Sequence, residues 1–174
     1  MNKTYFEILR PGINSTIQDK GRNHFYHIGI TLSGAMDQRI FMLSNAIVNN
    51  SLNEGALEFA YQGPLLKLKN GPISFTITGN VNFNILRKDS KVEKGNCFES
   101  YFLEDEDQID IISTQHTVFG YLSVDGGFIS NKIWNSCSTN TKAEVGPNNG
   151  KKFSKNEKIY IKRTSIKNFV KKKI

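Results

Sequence analysis

Between residues 53 and 125 the chain repeats one pattern: short apolar runs of period two, each ended by a turn signal at about ten-residue spacing. Leu57, Phe59 and Tyr61 alternate, as do Ile73, Phe75 and Ile77, then Phe83 and Ile85. Runs at 65–68, 97–103, 109–112 and 118–124 follow, with Gly63-Pro64, Asn70-Gly71 and Gly126-Gly127 as breaks. An apolar side chain at every second position lines one face of a strand and would spiral around a helix. Seven or more such strands predict a mainly β domain, a barrel or a sandwich. Strands are also predicted at 4–9, stopped by Pro11-Gly12, and at 159–161. One helix is predicted over 38–48. Asp37 can cap it by accepting a first-turn amide, and Ile40, Leu43 and Ile47, widened by Phe41 and Val48, form its apolar stripe. Asn49-Asn50 closes it, because Asn tolerates the left-handed backbone.

Residues 14–36 are rich in Gly, Asn, Ser and Thr and have no sustained period. A segment longer than about 12–15 residues without regular structure is functional more often than idle. The apolar share of 38% is enough for a core and excludes outright disorder. Residues 142–174 hold eleven of the 23 Lys and Arg and only two of the 16 acids, so the rest of the chain is slightly acidic. A basic tail without an aromatic stacking platform does not make a nucleic-acid surface. The reading is one domain over 1–163 and a basic tail over 164–174. Ile166, Phe169, Val170 and Ile174 fall at helical spacing in that tail, which is read as a solvated end and not a membrane-surface helix. No apolar run approaches the roughly 20 residues of a membrane span. The start, with Lys3 and Glu7, does not read as a secretory signal, so a cytoplasmic location is expected.

The chain has no phosphate-binding glycine loop, dinucleotide fingerprint, nucleophile elbow or zinc spacing. His24 and His27 form a pair on a loop without a third ligand close by, which favours surface histidines over a metal site. Cys137 has no adjacent cation to lower its thiol pKa, so it reads as structural, not nucleophilic. The run Glu104-Asp105-Glu106-Asp107 reads as a solvated turn between two strands.

A longer succession is more informative. Arg10-Pro11-Gly12 leads to Thr16-Ile17-Gln18-Asp19-Lys20-Gly21-Arg22, then Ser33-Gly34-Ala35-Met36-Asp37 and Asn45-Ala46-Ile47-Val48-Asn49-Asn50. Ala56-Leu57-Glu58, Gly63-Pro64-Leu65, Thr78-Gly79, the stretch from Tyr121 to Gly127, and Ser136-Cys137-Ser138-Thr139 follow in order. This resembles the KipA family, the C subunit of 5-oxoprolinase, whose domain also forms the second half of the carboxyltransferase region of urea amidolyase and urea carboxylase (allophanate hydrolase subunit 2). The match runs over about residues 8–140 and weakly to 163. Asn49, Asn135 and Asn140 stand where the family usually has Gly, Gly and Asp. The second half of the family's length has no counterpart here.

The resemblance implies a cyclophilin-like β-barrel with one or two short helices. It implies one component, inactive alone, of an ATP-dependent 5-oxoprolinase that opens 5-oxo-L-proline to glutamate, acting with a KipI-like component and a LamB/YcsF-type component. ATP enters only through that resemblance. Two alternatives stay open: a urea-type carboxyltransferase component using biotin, and a non-catalytic KipI-binding protein or inactive fragment. Developing oxyanions call for fixed donors and a cation. The expected catalytic set is therefore Gln18, Asp19 and Arg22: Arg22 as a fork for a carboxylate or phosphate, Gln18 as donor and acceptor, Asp19 as its orienter or a base. The expected substrate-binding set is Ser33 and Gly34, together forming an anion nest, with Asn45, Glu58, Ser136, Ser138 and Thr139. No metal is expected.

Overall fold

The computed structural model describes residues 3–162 and 171–173; the helical spacing at Ile166, Phe169, Val170 and Ile174 lies outside them. Eleven strands and one α-helix organise the described residues. The first sheet has the order β11 (Lys158–Tyr160), β1 (Tyr5–Arg10), β4 (Leu65–Lys69), β9 (Gln108–Thr114), β6 (Val81–Leu86), β7 (Val92–Lys94). The second has β2 (Thr16–Gln18), β3 (Ala56–Ala60), β10 (Phe119–Val124), β5 (Ile73–Thr78), β8 (Ser100–Leu103). Every pairing is antiparallel. The mainly β expectation holds, and the strands enclose one apolar core shared by both sheets. Phe6, Ile8, Leu66, Phe83 and Ile109 enter it from the first, and Ile17, Leu57, Phe59, Phe75 and Leu122 from the second.

Two strands escaped the sequence pattern. β2 has only three residues, all buried, too few to show a period. β7 is a short, mostly exposed edge. The stretch 97–103 forms a strand only from Ser100.

The helix α1 (Gln38–Ile47) begins as expected: the Asp37 carboxylate accepts the Ile40 amide at 3.0 Å. Asn49 closes it with a φ of 59°. Its buried stripe differs from the expected one. Phe41, Ser44, Asn45, Ile47 and Val48 face inward, while Ile40 and Leu43 are half-buried. Two polar side chains can occupy the stripe because they are bonded there. Ser44 Oγ lies 2.7 Å from Ser123 Oγ and from the Phe41 carbonyl, and Asn45 Nδ2 donates to the Glu54 carbonyl at 2.8 Å. The helix thus covers part of the second face of the five-stranded sheet. The Ala35–Met36 stretch before it, whose Met36 amide meets Glu58, adds to the cover, so β3 is buried at all five positions and does not alternate.

Residues 171–173 of the basic tail are not solvated as expected. Lys173 pairs with Glu99 across an antiparallel bridge, and the Ser100 amide donates to the Lys172 carbonyl at 2.9 Å. Lys171 and Lys173 lie 2.9 and 3.2 Å from the Glu99 carboxylate. This segment covers the otherwise open edge of β8, as edge strands require. The two ammonium groups hold the Glu99 pKa down to about 2. The contact is therefore complete above the ordinary carboxyl range and is lost as pH falls toward that value. Glu99→Gln is expected to accelerate amide hydrogen exchange at Ser100 without moving exchange in β1 or β4. Unchanged exchange at Ser100 would show that the tail is held by its backbone bonds alone.

Candidate functional site

Strand pairing assembles the site. Glu58 on β3 stands opposite Thr16 on β2 and opposite Tyr121 on β10, so these three side chains form a row across the sheet, on the face that α1 partly covers. Gln18, two residues beyond Thr16, shares that face. Its Nε2 donates to Thr16 Oγ1 at 2.9 Å and to the Thr139 carbonyl at 3.0 Å. The Thr139 carbonyl demands a donor, which fixes the orientation of the amide. Gln18 Oε1 is then buried without a partner.

Glu58 Oε2 accepts the Tyr121 hydroxyl at 2.8 Å and the Met36 amide at 2.8 Å. Burial raises the Glu58 pKa above the usual carboxylate value, outweighing these two donors, which lower it. Tyr121 is pushed up as well, by burial first and by the Glu58 charge second. A cleft of about 260 Å³ opens here. It is lined by Gln18, Ser33, Gly34, Glu58 and Thr139 from the expected set, with Lys142 as its cation.

The other expected residues lie beneath this cleft. Asp19 and Arg22 are only 1% and 2% exposed. Asp19 Oδ1 accepts from Ser138 Oγ at 2.6 Å, Ser136 Oγ at 2.7 Å and the Gly21 amide at 2.8 Å; Oδ2 accepts the Cys137 amide at 2.8 Å. Burial alone would raise its pKa, but these donors together lower it. A carboxylate this fully occupied ties the loop at 136–138 to β2. Ser136 and Ser138, expected at the substrate, both donate to it and have no exposed surface, so the structure places them behind the cleft lining.

Arg22 is turned inward as well: its Nη2 donates to the Ser138 carbonyl and its Nη1 to Ser33 Oγ at 3.2 Å, while its buried Nε has no partner among the described residues. Asn45 has no exposed surface either: its Nδ2 holds Glu54, and its Oδ1 accepts from Asn50 Nδ2 at 3.2 Å and Ser123 Oγ at 3.3 Å. It fixes the loop after α1. Ser33 and Gly34 both take positive φ, 56° and 90°, which is not the alternation of right- and left-handed residues that builds an anion nest.

Tyr121 was not among the expected residues; it has no exposed surface and does not line the cleft, and it bears on the site only through its hydrogen bond to Glu58. It lay inside a recognised motif, but its role depends on a cross-strand register that no local spacing reveals.

The remaining features place elsewhere. Burial pushes the Cys137 thiol up to about 12, which suits a structural cysteine. No group of three His, Cys, Asp or Glu is placed to hold a metal among the described residues. Within the acidic run, Asp107 is buried, accepts Arg87 Nη1 at 2.8 Å and the Lys88 amide at 3.0 Å, and is not a solvated turn residue. A larger concavity of about 510 Å³ adjoins it, but its cations are in ion pairs: Arg87, Lys88 and Lys91 face Glu93 and Glu104, and Lys171 faces Glu99. No described helix is long and apolar enough to cross a membrane.

Residues 28–173 match the family model described as carboxyltransferase domain, subdomain A and B. The chain belongs to this carboxyltransferase-domain family. It is 29% identical over 140 residues to the C subunit of 5-oxoprolinase from Haemophilus influenzae, covering 80% of this chain and 44% of that protein. It is 26% identical over 157 residues to the Escherichia coli protein of the same name, covering 89% and 48%. The solved K. lactis urea amidolyase superposes with a TM-score of 0.84 at 26% identity, covering 92% of this chain and 10% of that one. This carboxyltransferase domain therefore spans about half the length of the 5-oxoprolinase proteins it matches.

Two expectations follow for the domain. Asp19→Ala leaves four buried donors unmatched, and Arg22→Ala leaves the Ser138 carbonyl without its cation. Each should cost about 3 kcal/mol or more of stability, the range for breaking a buried charged contact. Urea unfolding of both variants checks this; an unchanged midpoint would favour the catalytic roles expected for them. Glu58 gives the opposite sign of pH dependence from Asp19. Its raised pKa means that the folded state keeps a proton the unfolded state releases above about 4.5. Stability contributed by protonated Glu58 therefore falls as pH rises through the interval above 4.5. Glu58→Gln should flatten the melting temperature against pH in that interval, as followed by calorimetry.

Proposed function

We propose that this domain is part of an ATP-dependent 5-oxoprolinase-type amide hydrolase, acting with a KipI-like component and a LamB/YcsF-type component, in the cytoplasm. The observation that carries the reading is the unpartnered, buried Gln18 Oε1 in the wall of a cleft that also holds Glu58. A buried acceptor with no protein donor is costly unless water or a ligand supplies one, and a ligand that displaces water from it must bring its own donor. A lactam N–H is such a donor. Glu58, kept protonated to higher pH than an ordinary carboxyl, can hydrogen-bond the lactam carbonyl, or hand a proton to the ring nitrogen as water adds to the carbonyl carbon and the C–N bond opens to carboxylate and amine. Lys142 at the cleft is the cation for the substrate carboxylate.

The cleft does not suit a triphosphate, because it pairs one lysine with a carboxylate and offers no glycine loop. ATP use is accordingly assigned to the other components. The resemblance to urea amidolyase favours a second reading, a urea-type carboxyltransferase that receives its carboxyl from biotin. A urea N–H would meet the same Gln18 acceptor.

The test is conversion of 5-oxoproline to glutamate with ATP, using the purified chain alone and with the KipI-like and LamB/YcsF-type components. Activity is expected only in the combination. Gln18→Met, which removes the acceptor together with the Nε2 bonds to Thr16 and Thr139, is expected to lower kcat/KM about tenfold or more, with the melting temperature followed alongside to separate the loss of those two bonds. Activity with urea and a biotin carrier in place of 5-oxoproline would establish the second reading. Inactivity in every combination with tight binding to the KipI-like component would make the domain a non-catalytic regulator.

A further inference from the structure

The segment between Arg22 and Leu32 leaves the body of the protein and returns to it. Its ends are fixed: the Arg22 amide donates to the Leu32 carbonyl at 2.8 Å, and the Ala35 amide to the Asp19 carbonyl at 2.8 Å. Between these ends, residues 23–31 contain no buried residue, although Phe25, Tyr26, Ile28 and Ile30 are large and apolar. Tyr26 is 65% and Ile28 55% exposed.

The arch is nonetheless ordered. A short 3-10 turn, Tyr26–Ile28, closes it, with the Gly29 amide donating to the Tyr26 carbonyl at 2.9 Å and the Ile30 amide to the Phe25 carbonyl at 3.2 Å. Phe25 stacks on Trp134, ring centroids 4.7 Å apart and 23° from parallel. Trp134 is itself exposed and sits at a φ of 52°, followed by Asn135 at 63°, in the tight turn where Ile133 bridges Ser136. A bulky residue in the left-handed region is strained, so the turn presents its indole at a cost to the fold.

Tyr, Trp and Ile on a rigid, exposed element have the composition of an interface hot spot, and preorganisation lowers the entropy lost on docking. The two stretches of sequence that carry them hold charge of one sign. There is no Asp or Glu from residue 20 to 36 or from 126 to 143, whereas Lys20 and Lys132 are exposed and carry no ion pair among the described residues. The far end of the same loop, Ser33, Gly34 and Met36, lines the cleft that holds Gln18 and Glu58.

We infer that the arch of residues 23–31, with Trp134, is the docking surface for a partner protein whose apolar contact face is rimmed by acidic residues, and that the docked partner borders the Gln18–Glu58 cleft. The surface is read from exposure, rigidity and charge; the identification of the partner with the KipI-like component rests on the proposed function.

The experiment titrates the purified KipI-like component of 5-oxoprolinase with the full chain by calorimetry at low and at high salt, and follows the chain alone by sedimentation. The double variant Tyr26→Ser/Ile28→Ser is expected to bind roughly ten- to hundredfold more weakly with an unchanged melting temperature, since neither side chain is buried. Lys132→Glu is expected to weaken binding and to flatten its salt dependence. Val92→Ser, at an exposed apolar position on the edge of the other sheet, is the control and should bind as the parent does. Equal affinity of the double variant and the parent would overturn the docking surface while leaving the 5-oxoprolinase reading intact. No binding by the parent would overturn both. A dimer of the chain alone that the double variant dissolves would overturn the assignment by making a second copy the occupant.

Discussion

The carboxylate of Asp19 holds together two parts of the chain that are more than a hundred residues apart. It follows the last residue of β2, and its four bonds go to Gly21 beside it and to the loop at 136–138. Those donors keep it charged in a place where burial alone would neutralise it. Arg22 supplies the nearest positive charge and grips the carbonyl of Ser138 from the other side. Through these contacts β2, a strand too short to hold its own register, is locked against β3 and against the return of the chain. The wall of the cleft that carries Gln18 and Thr139 is the outer surface of this lock.

The five-stranded sheet has two unlike faces. One faces the common core with Ile17, Leu57, Phe59 and Leu122. The other presents Thr16, Gln18, Glu58, Tyr121 and Ser123, and half of it is roofed by α1. Where the helix covers that face, hydroxyl and amide groups are matched one to one, as the Ser44–Ser123 and Asn45–Glu54 bonds show. Where the helix stops, Gln18 Oε1 stays unmatched and Glu58 stays buried with a raised pKa. The cleft is the part of this polar face that the helix leaves uncovered.

Much of the fold was legible because the core face of each longer strand alternates, and because Asp37 and Asn49 mark the helix ends by their own chemistry. What periodicity could not show was the second side of β3 and β10, since a strand covered on both faces loses its alternation. The stripe of α1 was misjudged for a related reason: Ser44 and Asn45 count as polar in a pattern but are buried once Ser123 and Glu54 are in place. At the site, the motif residues separate by depth. Gln18, Ser33, Gly34, Glu58 and Thr139 reach the cleft, Asp19, Arg22, Ser136 and Ser138 lie behind it, and Asn45 holds the loop after α1. Residue type and spacing carry no information on depth, and a carboxylate and guanidinium three residues apart look alike whether they meet a ligand or a loop.

The loop from Lys20 to Met36 joins these levels. Its ends take part in the Asp19 and Arg22 network, its C-terminal part lines the cleft, and its middle carries the exposed aromatic and aliphatic side chains. A loop free at both ends could not present apolar groups in a fixed geometry, and the entropy of ordering them on contact would offset their burial. Here the anchored ends remove that cost before any partner arrives. The same anchoring fixes Ser33 through its bonds to Arg22 and Asn140. Hydrogen-bonding groups in such an open cleft act against water of high dielectric, and their strength rises when a low-dielectric surface excludes that water. A body seated on the arch beside the cleft would strengthen the interactions of Gln18 and Glu58 without moving either, because their positions are already set from below by Asp19, Thr139 and Tyr121.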